Sequence, residues 1–545
     1  MPRTVIAVIA GLTFAIGISF AQSADMVIVN AKVYTANPQQ PSATGIAVKA
    51  GRILAVGEDV AAYTGPETKR IDVAGRAVIP GFIDSHGHML ALGMAQSSLD
   101  LHGVLSPQEI QAIVANRSHS KKPGEWITGF GWDQNLWRAK EFPTKDPLDA
   151  AAPDNPVVLT RVDGHAIWVN SKALALAGVS DKAVDPSGGR VARDEAGHPT
   201  GVFIDNAMGI IKVPDPSPAD REAALEAAAK LCARVGLTEV HDAGIDSKTL
   251  EAYRSLVQRG RLPIRINAMI SGGDADLWKT FLKSGPEIGD FLTLRSVKLY
   301  ADGALGSRGA ALLEPYTDDP SNKGLTITDR ATIEKFAREA IQGGFQVCTH
   351  AIGDRANREV LMAYSAALNG KNDKRFRVEH AQVIAPEDFA RFRENSVIAS
   401  MQPTHATSDM PWAALRLGAV RVEGAYAWQT FLKLGVHLAF GSDFPVENPN
   451  PIWGFYAAIT RQDRQGNPPG GWFPDQRLTR AEALRSWTIE GAYAAFQERA
   501  KGSIETGKWA DFVVLSDDIM RIAPSRILTA RVTMTIVNGR IVYQE

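Results

Sequence analysis

The sequence predicts an α/β protein: a (β/α)8 TIM-like barrel with a small β-sandwich domain built from both chain ends. Three observations predict it. Apolar runs that end in metal-ligand residue types recur along the middle of the chain. Helix-like periodicity lies between several of those runs, which is the pattern of a parallel sheet wrapped by helices. Short alternating strands crowd at the two chain ends.

In chain order, residues 1–21 read as an export signal. Arg3 gives a positive start, Thr4 to Ala21 carries no charge, and Ser19-Phe-Ala21 offers small residues for cleavage. The expected location is periplasmic or secreted, with no stable membrane association once the signal is removed. Residues 26–35 alternate like a strand, and so does the segment from Gly45 to Gly57 around a Gly51-Arg52 turn. At the far end, Asp511-Phe-Val-Val-Leu and the stretch from Val532 to Tyr543 alternate too, with Asn538-Gly539 as a hairpin signal. A composite β-domain from 22–79 and 502–545 follows, with the barrel inserted between them at 80–501.

Eight barrel strands are expected near residues 78–86, 237–243, 264–270, 295–302, 345–350, 376–382, 397–403 and 437–443. From Asp329 to Gly344, Ile333, Phe336, Ala337, Ala340 and Ile341 follow helical spacing, and Gly343-Gly344 ends the run. About 150 residues separate the first two strands. That excess, at about 95–220, reads as a lid or substrate-shaping insertion, because a loop after a barrel strand emerges above the active site.

Net charge is −1 with no basic cluster, which argues against nucleic acid as a partner. The two cysteines, Cys232 and Cys348, make neither a disulfide framework nor a thiolate metal site. A small-molecule substrate is the expected partner, and a homo-oligomer is compatible with the sequence.

The densest chemistry lies in Pro80-Gly-Phe-Ile-Asp-Ser-His-Gly-His88. Positions i and i+2 of a strand share a face, so His86 and His88 can grip one metal ion. His350, His380 and Asp443 end later apolar runs in the same way. Ligands gathered from several strand ends point to catalysis on a scaffold.

These motifs, with Trp126-Ile-Thr-Gly-Phe-Gly-Trp-Asp133, Asp163-Gly-His-Ala, Lys298-Leu-Tyr-Ala-Asp-Gly-Ala-Leu-Gly-Ser-Arg308 and Met401-Gln-Pro-Thr-His405, resemble the amidohydrolase superfamily. Within it they are similar to the YtcJ-like, N-substituted formamide deformylase-like branch. The resemblance implies one or two divalent metals, most often zinc. His86 and His88 would hold the more buried ion, and His350 and His380 the more exposed one. Lys298 would carry a CO2-derived carbamate bridging the two. Asp443 would bind metal and act as the base that moves a proton from water to the leaving nitrogen.

The expected reaction is hydrolysis of a C–N bond, an amide or formamide, through a metal-activated water. The rivals are an ester, lactone or cyclic amide hydrolase on the same site, a metal-dependent isomerase or decarboxylase, and a non-catalytic periplasmic binding protein. Five further residues are candidates for contact with substrate. His165 would hold the carbonyl or leaving group, Trp132 and Asp133 would line the pocket, Arg308 would clamp a carboxylate or brace a loop, and His405 would be a pocket or loop residue. Trp137 is a pocket or core aromatic, His241-Asp242 would support the ligands, and Cys348 is an interior filler or a ligand.

Overall fold

The computed structural model describes residues 23–545 other than Lys371; the expected export signal lies outside the described residues. Its centre is one sheet of eight parallel strands: Phe82–Gly87, Leu237–Ile245, Arg265–Ser271, Leu292–Tyr300, Gln346–Ala351, Arg377–His380, Ile398–Met401 and Leu438–Phe440. They pair in chain order, and the sheet curls into a nearly closed TIM-like barrel.

Closure comes from bonds at the seam between the first and last strands. The Asp443 N–H donates to the His86 carbonyl at 2.7 Å, and the His88 N–H to the Phe444 carbonyl at 2.8 Å. The Ser442 hydroxyl donates to Asp84 at 2.6 Å and its N–H to the same carboxylate at 3.0 Å.

The pleat explains which residues face the axis. On the fourth strand Val297 and Leu299 point outward into the layer shared with Ile333, Ala337 and Ala340. Lys298 between them therefore turns inward. The helix Arg330–Gly343 that covers this strand starts where Asp329 accepts from the Thr332 N–H at 2.8 Å. It stops at Gly344, whose φ of 80° suits a residue without a Cβ.

Both chain ends contribute to the flanking sheets. A four-stranded sheet holds Met26–Val29, Gly45–Lys49, Arg52–Gly57 and Lys69–Asp72. A six-stranded sheet joins Ala77–Pro80 antiparallel to Phe512–Leu515, with the Val532–Val537 and Arg540–Gln544 hairpin beyond. Ile28, Val33, Ile46, Val78, Phe512 and Ile536 fill the core between the sheets.

One boundary differs from the sequence reading. The first barrel strand does not begin at residue 78, because Ala77–Pro80 belongs to the flanking sheet. The break falls at Gly81, where a Cβ would come within 2.2 Å of Thr238 Oγ1. Only a glycine lets the two sheets part so close together.

The segment between the first two barrel strands forms its own six-stranded sheet, running from Leu99–Asp100 to Pro199–Asp205. The Asp185–Gly201 region is part of a hairpin in it, Gly189–Arg193 against Pro199–Asp205.

Trp132 corrects the sequence reading. It is fully buried in this sheet's core and lines neither cavity over the barrel mouth. Its indole N–H donates to the Leu159 carbonyl at 2.8 Å. Its ring stacks on Trp137 at 5.9 Å and meets Trp168 edge-on at 6.2 Å. Trp137 is a core residue as well. Trp132→Ala should therefore cost about 3–5 kcal/mol of stability, as for other buried tryptophans. Denaturant unfolding checks this; an unchanged midpoint with a raised KM would restore the pocket role.

Candidate metal centre

Five histidines, one aspartate and one lysine meet at the C-terminal mouth of the barrel. Asp443 is the hub. Its Oδ1 lies 3.2 Å from His88 Nε2 and 3.7 Å from His86 Nε2. Its Oδ2 lies 4.0 Å from His380 Nδ1 and 3.7 Å from His405 Nε2. The donor atoms form two overlapping groups, His86–His88–Asp443 and His380–His405–Asp443. The His350 ring sits 4.6 Å from that of His380, and its Nε2 lies 3.6 Å from Asp302. Lys298 Nζ is 3.0 Å from His86 Nε2.

Backbone strain marks the same place. Asp443 has φ 60° and His380 has φ 71°, both in the left-handed region that non-glycine residues avoid. Such conformations cost of the order of 1–3 kcal/mol and persist where surrounding structure holds them. At Asp443 the holding bond is the seam contact to His86. At His380 the left-handed turn ends the strand, so the consecutive residues Glu379 and His380 both reach His86: the first by hydrogen bond, the second with ring centroids 4.7 Å apart.

Burial sets the charges. It lowers the Lys298 ammonium to about 8. Burial, and then the neighbouring Lys298, lowers His86 to about 4. Burial also holds His350 and His380 well below the usual imidazole value. The three imidazoles thus favour the neutral form that can donate a lone pair, while Lys298 gives up its proton as pH rises through about 8. Burial alone would raise Asp443, but the approach of His88 and the surrounding imidazoles hold its carboxyl well below the usual range.

The donor set fits a divalent cation. Imidazole nitrogens and carboxylate oxygens suit zinc in particular. Asp443 Oδ1 and His405 Nε2 are buried without a hydrogen-bond partner among the described residues. Unsatisfied buried polar atoms are rare in folded proteins, and a cation in either group would satisfy the atom that group holds.

The substrate-facing candidates separate clearly. Two adjoining cavities of about 1310 and 460 Å³ open over the cluster. His165 comes from the insertion sheet and lines both. Its Nδ1 lies 2.6 Å from Asp205, and its ring is 4.9 Å from that of His350. Asp133 lines the larger cavity and pairs with the buried Arg161. His405 also lines it and stacks on His380 at 6.0 Å. Arg308 does not; it braces a loop by pairing with Asp318 at 3.0 Å. Cys348 sits inside the barrel with Ala243 and Met269.

His241 lies deeper, hydrogen-bonded to Arg377, while Asp242 accepts from the Met89 N–H and the Tyr253 hydroxyl. Sequence reasoning missed Glu379, Asp205 and Asp302. Alternation would have placed Glu379 on the barrel-facing side with Arg377, but without pointing to the histidine it meets.

The fold and cluster define a metal-dependent hydrolase, and comparison with known proteins agrees. The amidohydrolase family profile matches residues 69–543, and the chain belongs to that family. The putative amidohydrolase YtcJ of Bacillus subtilis is 36% identical over 89% of this chain and 92% of its own. The N-substituted formamide deformylase of Arthrobacter pascens is 28% identical over 96% and 99% respectively. An uncharacterized metal-dependent hydrolase from Pyrococcus horikoshii superposes with a TM-score of 0.75 at 27% identity, covering 92% of this chain and 99% of that one.

Replacing His86 and His88 together by Ala should remove a bound cation without unfolding the protein, since the core lies in the barrel wall. Metal analysis with circular dichroism checks this; wild-type metal content in the double variant would contradict the cluster.

Proposed function

We propose that this chain, exported through residues 1–21, is a metal-dependent hydrolase of an N-substituted amide or formamide. The observation that carries the reading is the Asp443 hub, one carboxylate within 4.0 Å of four imidazoles. His86, His88, His350, His380, Lys298 and Asp443 would hold one or two divalent cations, zinc by donor type. His405 is placed to join them. A cation held there supplies Lewis-acid polarisation of a carbonyl and eases deprotonation of water.

The chain's own groups do the rest. Asp443 is ionised and faces the cavity, so it can take a proton from water and hand it to the leaving nitrogen. His165, steadied by Asp205, lines both cavities beside His350 and can hold the carbonyl or the leaving group. The neutral Lys298 amine can add CO2, losing one proton to give the anionic carbamate.

The cavity lining favours an amine product without a carboxylate. Asp100, Asp133, Asp163, Asp409, Glu447 and Asp463 all line it. Its two arginines are engaged: Arg161 between Asp133 and Asp163, Arg464 over the Trp453 ring. No lysine lines the larger cavity among the described residues. A matched panel of N-substituted formamides, N-acyl amino acids and esters tests this. Formamides of neutral or basic amines should give the highest kcat/KM. Turnover of esters alone would overturn the C–N reading. Asp443→Asn should lower kcat by about 100-fold or more, the usual scale of general acid–base catalysis.

Lys298→Ala should lose at least one cation per chain and most activity. In bicarbonate buffer, cation loading of the wild type should rise as pH climbs through about 8, where Lys298 becomes neutral. The sign follows from the amine, not the ammonium, being the group that adds CO2. Intact mass showing an unmodified lysine in fully active protein would reject the carbamate.

A further inference from the structure

Beneath the cluster a column of buried polar side chains runs along the barrel axis. It starts at Lys501, which lies against the floor of the barrel and pairs with Glu239. Glu239 Oε1 is 3.1 Å from His241 Nε2. Arg377 Nη1 donates to His241 Nδ1 at 2.9 Å. Arg377 then forks onto Glu379, with Nε at 2.7 Å from Oε1 and Nη2 at 2.9 Å from Oε2. Nη2 also donates to the Ser85 carbonyl at 2.6 Å and the Ser400 hydroxyl at 3.0 Å. Glu379 Oε2 ends the column 2.5 Å from His86 Nδ1. All five charged or imidazole residues below His86 are at most 2% exposed.

The donor logic of this column is forced. An ionised carboxylate only accepts, so His86 must carry its proton on Nδ1. Its Nε2 lone pair is then the free one, and it faces Lys298 Nζ and Asp443. Guanidinium only donates, so His241 Nδ1 must accept from Arg377 and its Nε2–H must donate to Glu239. The column is also paired along its length: Lys501 with Glu239, and Arg377 with Glu379. The bidentate fork fixes the plane of the Glu379 carboxylate, and with it the plane of the His86 ring.

We propose that Glu379 is a positioning residue for the metal centre: clamped by Arg377, it locks His86 in the Nδ1–H form and presents Nε2 to the cation. The proposal rests on His86 being a ligand. A carboxylate behind a ligating histidine orients the ring and raises its basicity, and losing it commonly weakens metal binding by about 10–100-fold.

Zinc affinity, measured by chelator competition on the full chain, tests this, with the cobalt(II) absorption spectrum as a second readout. Glu379→Gln keeps the shape and removes the charge. Because it strands Arg377, the double variant Arg377→Met/Glu379→Gln is made alongside it, restoring charge balance so that the fold is kept. Circular dichroism and unfolding midpoints accompany both.

The expected result is zinc affinity weakened about 10–100-fold in the double variant, with an altered cobalt(II) spectrum and an intact fold. Zinc bound within threefold of wild type by the folded double variant would overturn the proposal. His86→Ala separates the two levels of the account. If it abolishes tight binding while the Glu379 variants do not, only the positioning role falls. If it leaves affinity unchanged, the ligand role of His86 falls and the positioning role with it.

Discussion

The seam between the first and last barrel strands is the constraint on which the site depends. Asp84 takes the Ser442 hydroxyl and N–H, and the Asp443 N–H reaches back to the His86 carbonyl. Those bonds bring His86 and His88, near the start of the barrel, against Asp443, more than 350 residues later. They also hold Asp443 in a left-handed conformation that aspartate would not adopt in a free chain. The carboxylate is thereby thrust among imidazoles rather than left in the turn its sequence suggests. Asp84 itself is buried, and burial lifts its carboxyl to about 7. The bonds from Ser442 and the His86 N–H are what offset that cost.

The barrel axis is unusually polar for a core. Charged groups inside a protein are costly unless paired and hydrogen-bonded. Here each finds a partner, from Lys501 at the floor to Glu379 beneath His86. Most apolar packing lies in the outer layer, where strand residues such as Val297 and Leu299 meet the helices, with a small Ala243–Met269–Cys348 cluster inside. The inner face is thus free to carry chemistry without weakening the wall. The insertion sheet completes the mouth by delivering His165, with Asp205 behind it, opposite His350.

Much of this is legible in the sequence because periodicity carries it. Apolar runs by themselves carry five or six of the barrel strands, the full eight following from the recurring run-then-ligand pattern, and the pleat alone turns Lys298 inward between two outward neighbours. The flanking strands at both chain ends show by alternation and by the Asn538-Gly539 turn. Other features depend on distant partners. Trp132 is a pocket candidate by its motif, though large aromatics are more often core, and Trp137 and Trp168 around it decide for the core. Arg308 looks free to clamp a substrate until the loop brings Asp318 to it. His405 nears Asp443 because a helix begins straight after the seventh strand, which no local pattern announces. The pairing of Glu379 with His86 spans 293 positions and the width of the barrel, and only the closed fold reveals it.

The central claim is that the donors around Asp443 hold a cation. Anomalous scattering at the zinc edge from zinc-loaded crystals tests it most directly. The account predicts a peak bounded by His86 Nε2, His88 Nε2 and Asp443 Oδ1. A hydrolytically active, zinc-loaded protein whose anomalous peaks all lie away from these atoms would contradict it.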